Sequence, residues 1–173
     1  MTGRGKIRQR GLVLLLSLTL VALLGLLGLS AMGSATQQER MAHNLVTTLQ
    51  VFEQTQHVLQ QGELQTLAQA WAVCEFCLPP PEAGFITTGG VYSGPMASSG
   101  LSWLAADGGF YLIQSLGVST QARQLPPGLA VNLYRVTAVG RNGAARSVLE
   151  SVVAQPVGQT AQPWRRILWR QVY

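Results

Sequence analysis

The longest apolar run of the chain covers residues 12–31, twenty positions without a charged side chain. As an α-helix this run is roughly 30 Å long, which matches the hydrocarbon thickness of a bilayer. Its few small or polar residues are scattered rather than gathered on one face; they are Ser17, Thr19, Gly25, Gly28 and Ser30. A helix that is apolar all round has little use in a soluble domain. The run therefore predicts a transmembrane helix over residues 12–31.

The helical pattern continues after Met32 but becomes amphipathic. Apolar residues recur at steps near 3.6 with Gln or Thr between them, at Met41, Leu45, Leu49, Phe52 and Leu59. No proline occurs before Pro79, so the spacing predicts one unbroken helix over residues 12–61, roughly 75 Å long. Gly62 is expected to kink or end it. Residues 63–73 then predict a second helical piece, with one face formed by Leu64, Leu67 and Trp71.

The rest of the chain has the pattern of short strands separated by glycine- and proline-rich turns. Apolar or alternating runs predict strands at residues 85–88, 110–116, 129–139, 145–154 and 163–170. Asn142-Gly143 between two of these runs predicts a hairpin turn. Residues 86–100, rich in Gly, Ser and Thr, are expected to form loops that contact partners. The prediction is an α+β fold, in which a long helix packs on a head of four or five antiparallel strands over residues 62–173.

The positive net charge is concentrated at the N-terminus. The formal charge is +5, but Arg4, Lys6, Arg8 and Arg10 all precede the apolar run, and the remainder carries eight basic and seven acidic residues. No downstream cluster of Lys or Arg with interleaved aromatic residues is present, so no direct binding to nucleic acid is expected. The four leading charges instead predict orientation: they stay on the cytoplasmic side and the head is exported.

The two cysteines lie three residues apart, in Cys-Glu-Phe-Cys at residues 74–77, just before a proline run. A zinc site needs about four ligands, and His43 and His57, the only histidines, both fall on the long helix, so no metal site is expected. A thioredoxin-like motif would open a helix after a strand rather than close one. In an oxidising compartment Cys74 and Cys77 are therefore expected to form a structural disulfide at the end of the helix, in preference to free thiols.

The sequence shows no constellation of catalytic residues. The seven acidic residues are scattered, the head contains no histidine, and no glycine-rich segment has the form of a phosphate-binding loop. Glu82 and Asp107 could pair in space, but two lone carboxylates in loops are expected to be solvated. We therefore expect a protein without enzymatic activity and without a cofactor.

Three interpretations of the N-terminus compete. A secretory signal peptide would be cleaved after the small residues 33–35, although the apolar run is longer than usual for such a peptide. An uncleaved single-pass anchor would retain Met1. In the third interpretation, residues 1–11 form a prepilin leader that is cleaved between Gly11 and Leu12, so that the apolar helix is kept.

Blocks at both ends of the chain favour the third interpretation. The N-terminal blocks are residues 11–16 (Gly-Leu-Val-Leu-Leu-Leu), 26–32 (Leu-Leu-Gly-Leu-Ser-Ala-Met) and 38–44 (Gln-Glu-Arg-Met-Ala-His-Asn). The C-terminal blocks are residues 110–117 (Phe-Tyr-Leu-Ile-Gln-Ser-Leu-Gly), 134–141 (Tyr-Arg-Val-Thr-Ala-Val-Gly-Arg) and 148–151 (Val-Leu-Glu-Ser). Together they resemble the PilX-type minor pilins of type IV pili, while residues 62–109 lie outside the resemblance.

The resemblance implies a function and a set of partners. A prepilin peptidase would cleave after Gly11 and Leu12 would be N-methylated. The head would wait in the periplasm on an inner-membrane anchor and then enter a pilus beside other minor pilins, the major pilin and, at the tip, an adhesin. Most pilins carry Glu as the fifth mature residue, where this chain has Leu16. That loss fits a subunit that initiates or caps the fibre better than one repeated along it.

Two other functions stay open on the sequence alone. One is a minor pseudopilin of a type II secretion system, whose capping subunits share the loss of the glutamate. The other is a single-pass, membrane-anchored or secreted periplasmic binding module whose N-terminus only mimics a pilin. Under the favoured interpretation the fibre supports adhesion, twitching motility or DNA uptake.

Overall fold

The computed structural model describes the backbone of residues 6–158 and 164–172 and the side chains from residue 11 onward. One helix, α1, extends over Lys6–Ala68. The chain divides after Leu45 into two compact units, so the second unit contains the last part of α1 together with the head. Within that unit, residues 46–68 pack on an antiparallel sheet. The predicted α+β layout, a long apolar helix with a sheet head, is confirmed.

The predicted end of the helix near Gln61 is wrong, because α1 continues through Gly62 to Ala68. A Cβ atom at Gly62 would lie 2.6 Å from Val136 Cγ1 and 3.0 Å from the Tyr111 ring. The glycine therefore allows the helix to approach the sheet closely and does not end it. The second helical piece predicted over residues 63–73 is the last turn and a half of α1 followed by irregular chain.

The predicted buried face of the helix is correct only in its C-terminal part. Leu59 is buried and Phe52 half-buried, but Met41, Leu45 and Leu49 are exposed, and so are Leu64 and Leu67. The side chains of α1 that are buried against the head are instead Val51, Thr55, Val58, Leu59, Glu63 and Thr66. Two polar side chains on this face bond back to the helix, Thr55 Oγ1 to Val51 O at 2.6 Å and Thr66 Oγ1 to Glu63 O at 2.7 Å. Their hydroxyl groups are thereby satisfied without a partner in the sheet.

The sheet has six strands in the order of the sequence, each antiparallel to the next. The strands are β1 Gly90–Val91, β2 Ser102–Ala106, β3 Gly109–Ser119, β4 Val131–Asn142, β5 Ala145–Pro156 and β6 Arg165–Gln171. The predictions for β3, β4, β5 and β6 are confirmed to within three residues at each described end, while Pro163 lies outside the described residues. The strand predicted at residues 85–88 is wrong: Ala83–Phe85 form a short 3₁₀ helix, and β1 and β2 follow within the predicted loop and after it.

The turn between β4 and β5 lies one residue later than Asn142-Gly143 predicts. Asn142 pairs with Ala145, so Gly143 and Ala144 are the two central residues of the hairpin. Gly143 has a φ of 58°, and Ala144 does not have a positive φ. This combination fits a type II′ turn, which requires glycine at its first central position.

Alternation along β3, β4 and β5 places two hydrophobic clusters on opposite faces of the sheet. One cluster packs against α1 and consists of Val58, Leu59, Ile113, Tyr134, Val136, Ala138, Leu149 and Val153. The other packs against the segment that connects α1 to the sheet and consists of Ala83, Ile86, Trp103, Leu112, Val139 and Val148. The second unit is therefore built of three layers, with α1 on one face of the sheet and the connecting segment on the other. We call these the helix face and the segment face.

Candidate functional site

The residues predicted for processing all lie in the part of α1 that precedes Leu45. Leu12 and Leu16 are 68% and 63% exposed, and a Cβ atom at Gly11 would meet no other atom within 4 Å. Among the described residues, one helix is long and apolar enough to cross a membrane, Gly11–Ala68, and the apolar stretch within it is unburied. Its length and composition suit a membrane anchor or a signal sequence.

Two hydroxyl groups inside the apolar stretch bond back to the helix and so need no outside partner. Ser17 Oγ donates to Leu14 O and Thr19 Oγ1 donates to Leu16 O, both at 2.9 Å. An unsatisfied polar group in hydrocarbon costs several kcal/mol, so these internal bonds suit a helix that enters an apolar medium. The stretch also has no carboxylate, since residues 12–31 contain neither Asp nor Glu.

The two cysteines form a disulfide with a Cα–Cα distance of 5.4 Å. The expectation that they close the helix is wrong, because Cys74 comes six residues after the last residue of α1 and lies in irregular chain. Cys74 N donates to Ser115 O at 2.9 Å, and Val73 forms an isolated parallel bridge with Ser115. The disulfide therefore belongs to a segment that lies beside the end of β3.

Side chains of the sheet hold this segment by its backbone carbonyl groups. Gln114 Nε2 donates to Phe76 O at 2.6 Å and to Leu78 O at 3.0 Å, and Arg135 Nη1 donates to Cys77 O at 2.6 Å. Three successive carbonyl groups are thus bound by two neighbouring strands, since Gln114 of β3 pairs with Arg135 of β4. We call residues 74–78 the carbonyl-held segment.

Arg135 also belongs to a buried charge cluster on the segment face. Glu150 is 1% exposed, and its Oε1 lies 3.5 Å from Arg135 Nε and 3.0 Å from Arg170 Nη2. Burial lowers the pKa of Arg135 below its ordinary value, and the neighbouring positive charge of Arg170 acts in the same direction, while Glu150 opposes both. The cluster of two guanidinium groups and one carboxylate carries a net positive charge.

A second buried carboxylate joins the helix to the last strand. Glu63 of α1 is 1% exposed and receives two hydrogen bonds from Arg166 of β6, from Nε at 2.7 Å and from Nη2 at 2.5 Å. The hydrogen bond to Glu63 raises the pKa of Arg166 above its ordinary value, although partial burial acts in the opposite direction. On the same face, the Phe52 and Trp169 rings meet edge to face with their centroids 6.3 Å apart. Trp164 is half-buried against the helix-face cluster.

The third buried carboxylate is Glu82, which was expected to be solvated. It is fully buried and accepts hydrogen bonds from Ser99 N at 3.0 Å, from Ser99 Oγ and from Trp103 Nε1 at 3.2 Å. It thereby fixes the loop over residues 86–100 to the segment face. Asp107 is exposed in the turn between β2 and β3 and has a different environment.

Sequence reasoning missed that three of the six acidic residues in the second unit are buried. The only available signal was for Glu150, which interrupts an apolar run of β5. In the described ranges 6–158 and 164–172, no group of three or more His, Cys, Asp or Glu residues is placed to hold a metal ion. The three buried carboxylates and their partners instead connect parts of the head that are distant in the sequence.

No family model, curated protein or solved structure matches this chain at a significant level. The resemblance to minor pilins therefore rests on the sequence blocks at the two ends of the chain. The structure adds that the C-terminal blocks form central strands of the sheet, since residues 110–117 lie in β3, residues 134–141 in β4 and residues 148–151 in β5.

Proposed function

We propose that the chain is a minor pilin, a subunit that initiates or caps a type IV pilus and so supports adhesion, twitching motility or DNA uptake. The observation that carries this proposal is the order of features at the N-terminus. Four basic residues precede Gly11, a charge-free stretch begins directly after it, and the block at residues 38–44 follows in the same helix α1, which already begins at Lys6. A secretory signal peptide needs no such continuity, because its apolar helix is discarded.

The fold supports the proposal at the level of architecture. A pilin-like subunit needs an apolar helix that can exchange a bilayer for the core of a fibre, and a head that remains outside. The stretch after Gly11 is apolar on all sides, its hydroxyl groups at Ser17 and Thr19 are bonded internally, and the head packs on the later turns of the same helix. Both of these hydroxyl groups are thus satisfied in a bilayer and in the apolar core of a fibre alike.

Leu16 is the basis for proposing a position at the fibre end. A carboxylate in an apolar fibre core needs a positive partner, and in most pilins that partner is thought to be the N-terminal amine of a neighbouring subunit. A chain with Leu16 offers no carboxylate to such an amine. A subunit at the end of the fibre has no neighbour on that side, so no amine is left without a partner. A subunit repeated along the fibre would leave the amine of every neighbouring subunit unpaired.

The mature N-terminus tests the proposal in cells that express the prepilin peptidase. We expect the mature chain to begin at N-methylated Leu12, and the variant Gly11→Val to keep residues 1–11. The matched control is Gly33→Val, which alters the alternative signal-peptide site in the same helix and should be processed normally. A chain that begins at Thr36 or retains Met1 would contradict the proposal. The identity of the subunits that co-purify with the mature chain distinguishes a type IV pilus from a type II secretion system.

A further inference from the structure

We propose that the Cys74–Cys77 disulfide is a thiol–disulfide exchange site, and that its reduction by a protein dithiol releases the carbonyl-held segment from the sheet. The inference rests on the position of the two sulfur atoms and on the contacts of residues 74–78. It does not depend on the function proposed above, because it needs only an exported head in a compartment that contains dithiol proteins.

The disulfide is accessible from one side. Cys77 is exposed and Cys74 is half-buried, and both lie outside the helix and the strands. Structural disulfides that resist exchange are usually shielded, whereas exposed ones are the labile or regulatory class. Access therefore favours attack on Cys77 Sγ over attack on the sulfur of Cys74.

The exchange proceeds through a mixed disulfide. A thiolate of the dithiol attacks Cys77 Sγ, the bond to Cys74 breaks, and Cys74 leaves as a thiolate that takes up a proton. The second thiol of the dithiol then loses its proton and attacks its own partner sulfur, which releases Cys77 as a thiol. The protein gains two electrons and two protons, and the dithiol becomes a disulfide.

The small size of the ring favours reduction. Cross-linking stabilises a fold chiefly by removing loop-closure entropy from the unfolded chain, and this effect grows with loop length. The ring closed here contains only the two cysteines and two residues between them. The head therefore loses little global stability when the disulfide opens, and the change is confined to the segment.

The contacts of the segment explain why opening the ring changes the surface. Among the described residues, the carbonyl groups of Phe76, Cys77 and Leu78 accept from the side chains of Gln114 and Arg135, and residues 75–78 belong to no helix or strand. The disulfide closes the backbone of residues 74–77 into a ring. Without it, the backbone of residues 75–78 regains freedom and the carbonyl groups exchange Gln114 and Arg135 for water.

The released state differs electrostatically from the closed one. Arg135 links the segment to the buried cluster, because its Nη1 bonds to Cys77 O while its Nε lies 3.5 Å from Glu150 Oε1. Releasing Cys77 O frees one edge of the guanidinium group of Arg135, whose side chain is only 16% exposed in the closed state. The reduced head would therefore present a new cationic group on the segment face, suited to a carboxylate of a partner.

The experiment uses the full chain in detergent and a thioredoxin whose resolving cysteine is replaced by serine, followed by alkylation. We expect a mixed disulfide on Cys77 with Cys74 alkylated. In a second arm, intact thioredoxin with its reductase should reduce the protein without denaturant. The side-chain amide protons of Gln114, which donate to Phe76 O and Leu78 O in the oxidised protein, should then exchange with solvent at least tenfold faster, while the backbone amides of the central residues of β4 are unchanged.

The variant Cys74→Ser/Cys77→Ser provides the control. It should show the fast exchange of the Gln114 side-chain amide protons whether or not reductant is present. The proposal would be overturned by a disulfide that is reduced only in denaturant, by a mixed disulfide formed on Cys74, or by reduced protein whose Gln114 side-chain amide protons exchange as slowly as those of the oxidised protein. Because the wild-type arm is decisive alone, a variant that fails to fold leaves the test intact.

Discussion

Arg166 forms two parallel hydrogen bonds with Glu63, which joins the last strand of the sheet to the helix that begins the chain. The carboxylate is 1% exposed and the arginine side chain 36%. A buried carboxylate without a partner is costly, so this pair makes the docking of β6 on α1 specific, whatever its net contribution to stability.

The substitution Arg166→Met should destabilise the head, because it leaves the buried Glu63 carboxylate without its partner. We expect a loss of about 2–3 kcal/mol in the free energy of unfolding, less than for a fully buried pair because Arg166 is partly solvated. The matched control is Arg165→Met, at an exposed residue whose Nη1 bonds to Gln124 O, and it should cost less than about 1 kcal/mol. Urea unfolding of the full chain in detergent, followed by Trp fluorescence, measures both. Equal losses would contradict the role assigned to the ion pair.

The contribution of Arg166 should not depend on pH in the neutral range. The folded pKa of Arg166 is raised above its ordinary value, which already lies far above neutral pH, so its stabilising effect is complete below the unfolded pKa and is lost only as the pH rises through the folded value. The difference in unfolding free energy between wild type and Arg166→Met should therefore be constant from pH 7 to pH 9. A difference that falls steadily over this range would show that another group controls the pair.

Gly62→Ala should destabilise the head even though alanine is the better helix former. The added Cβ atom would lie 2.6 Å from Val136 Cγ1, and overpacking of this kind costs about 1–3 kcal/mol. Gly33→Ala is the matched control, because it lies in the same helix with no atom within 4 Å of the new Cβ. It should be neutral or slightly stabilising. Thermal unfolding measured by circular dichroism separates the two, and a stabilised Gly62→Ala variant would refute the close contact.

Glu82→Gln should loosen the loop over residues 86–100. The carboxylate accepts bonds from Ser99 and Trp103, and the amide can replace only part of this acceptor capacity in a buried site. We expect a loss of about 1–3 kcal/mol. The same change of charge in the exposed turn, Asp107→Asn, should have an effect within about 0.5 kcal/mol. The amide hydrogen of Ser99 should exchange faster in Glu82→Gln and not in Asp107→Asn. Unchanged exchange at Ser99 in Glu82→Gln would show that Glu82 does not hold the loop.

Leu16→Glu tests the proposed position at the fibre end. If the missing carboxylate restricts the chain to a terminal position, supplying it should raise the number of copies per pilus, counted by quantitative mass spectrometry of sheared fibres. Leu15→Glu places the same charge one residue earlier, where no amine is expected to meet it, and should lower incorporation. Equal incorporation of the two variants would show that this position does not restrict the chain.

Local patterns were sufficient to predict the helix, the four longer strands and the hairpin between β4 and β5. Each depends on periodicity or turn chemistry within a short stretch, such as the glycine in the turn between β4 and β5. The end of α1 could not be predicted in this way. Gly62 is a poor helix former by propensity, but it lies where α1 approaches Tyr111 and Val136, far along the chain, too closely for a larger side chain.

The polar interior of the head was also beyond local prediction. Glu63, Glu82 and Glu150 are buried with partners that are distant in the sequence, as when Trp103 donates to Glu82 and Arg166 to Glu63. The short strands β1 and β2 contain too few residues for a periodic signal. The pairing of the two cysteines could be predicted from the sequence, but the hydrogen bonds from Gln114 and Arg135 to the carbonyl-held segment could not be predicted.

The most direct test of the central claim is the location and N-terminus of the chain in cells that assemble the fibre. Fibres are sheared, purified and digested, and the fibre and membrane fractions are analysed by mass spectrometry. If the chain is a fibre subunit, we expect a peptide that begins at N-methylated Leu12 in the fibre fraction. A chain that is confined to the membrane fraction with Met1 retained, or that is secreted beginning at Thr36, would contradict the account.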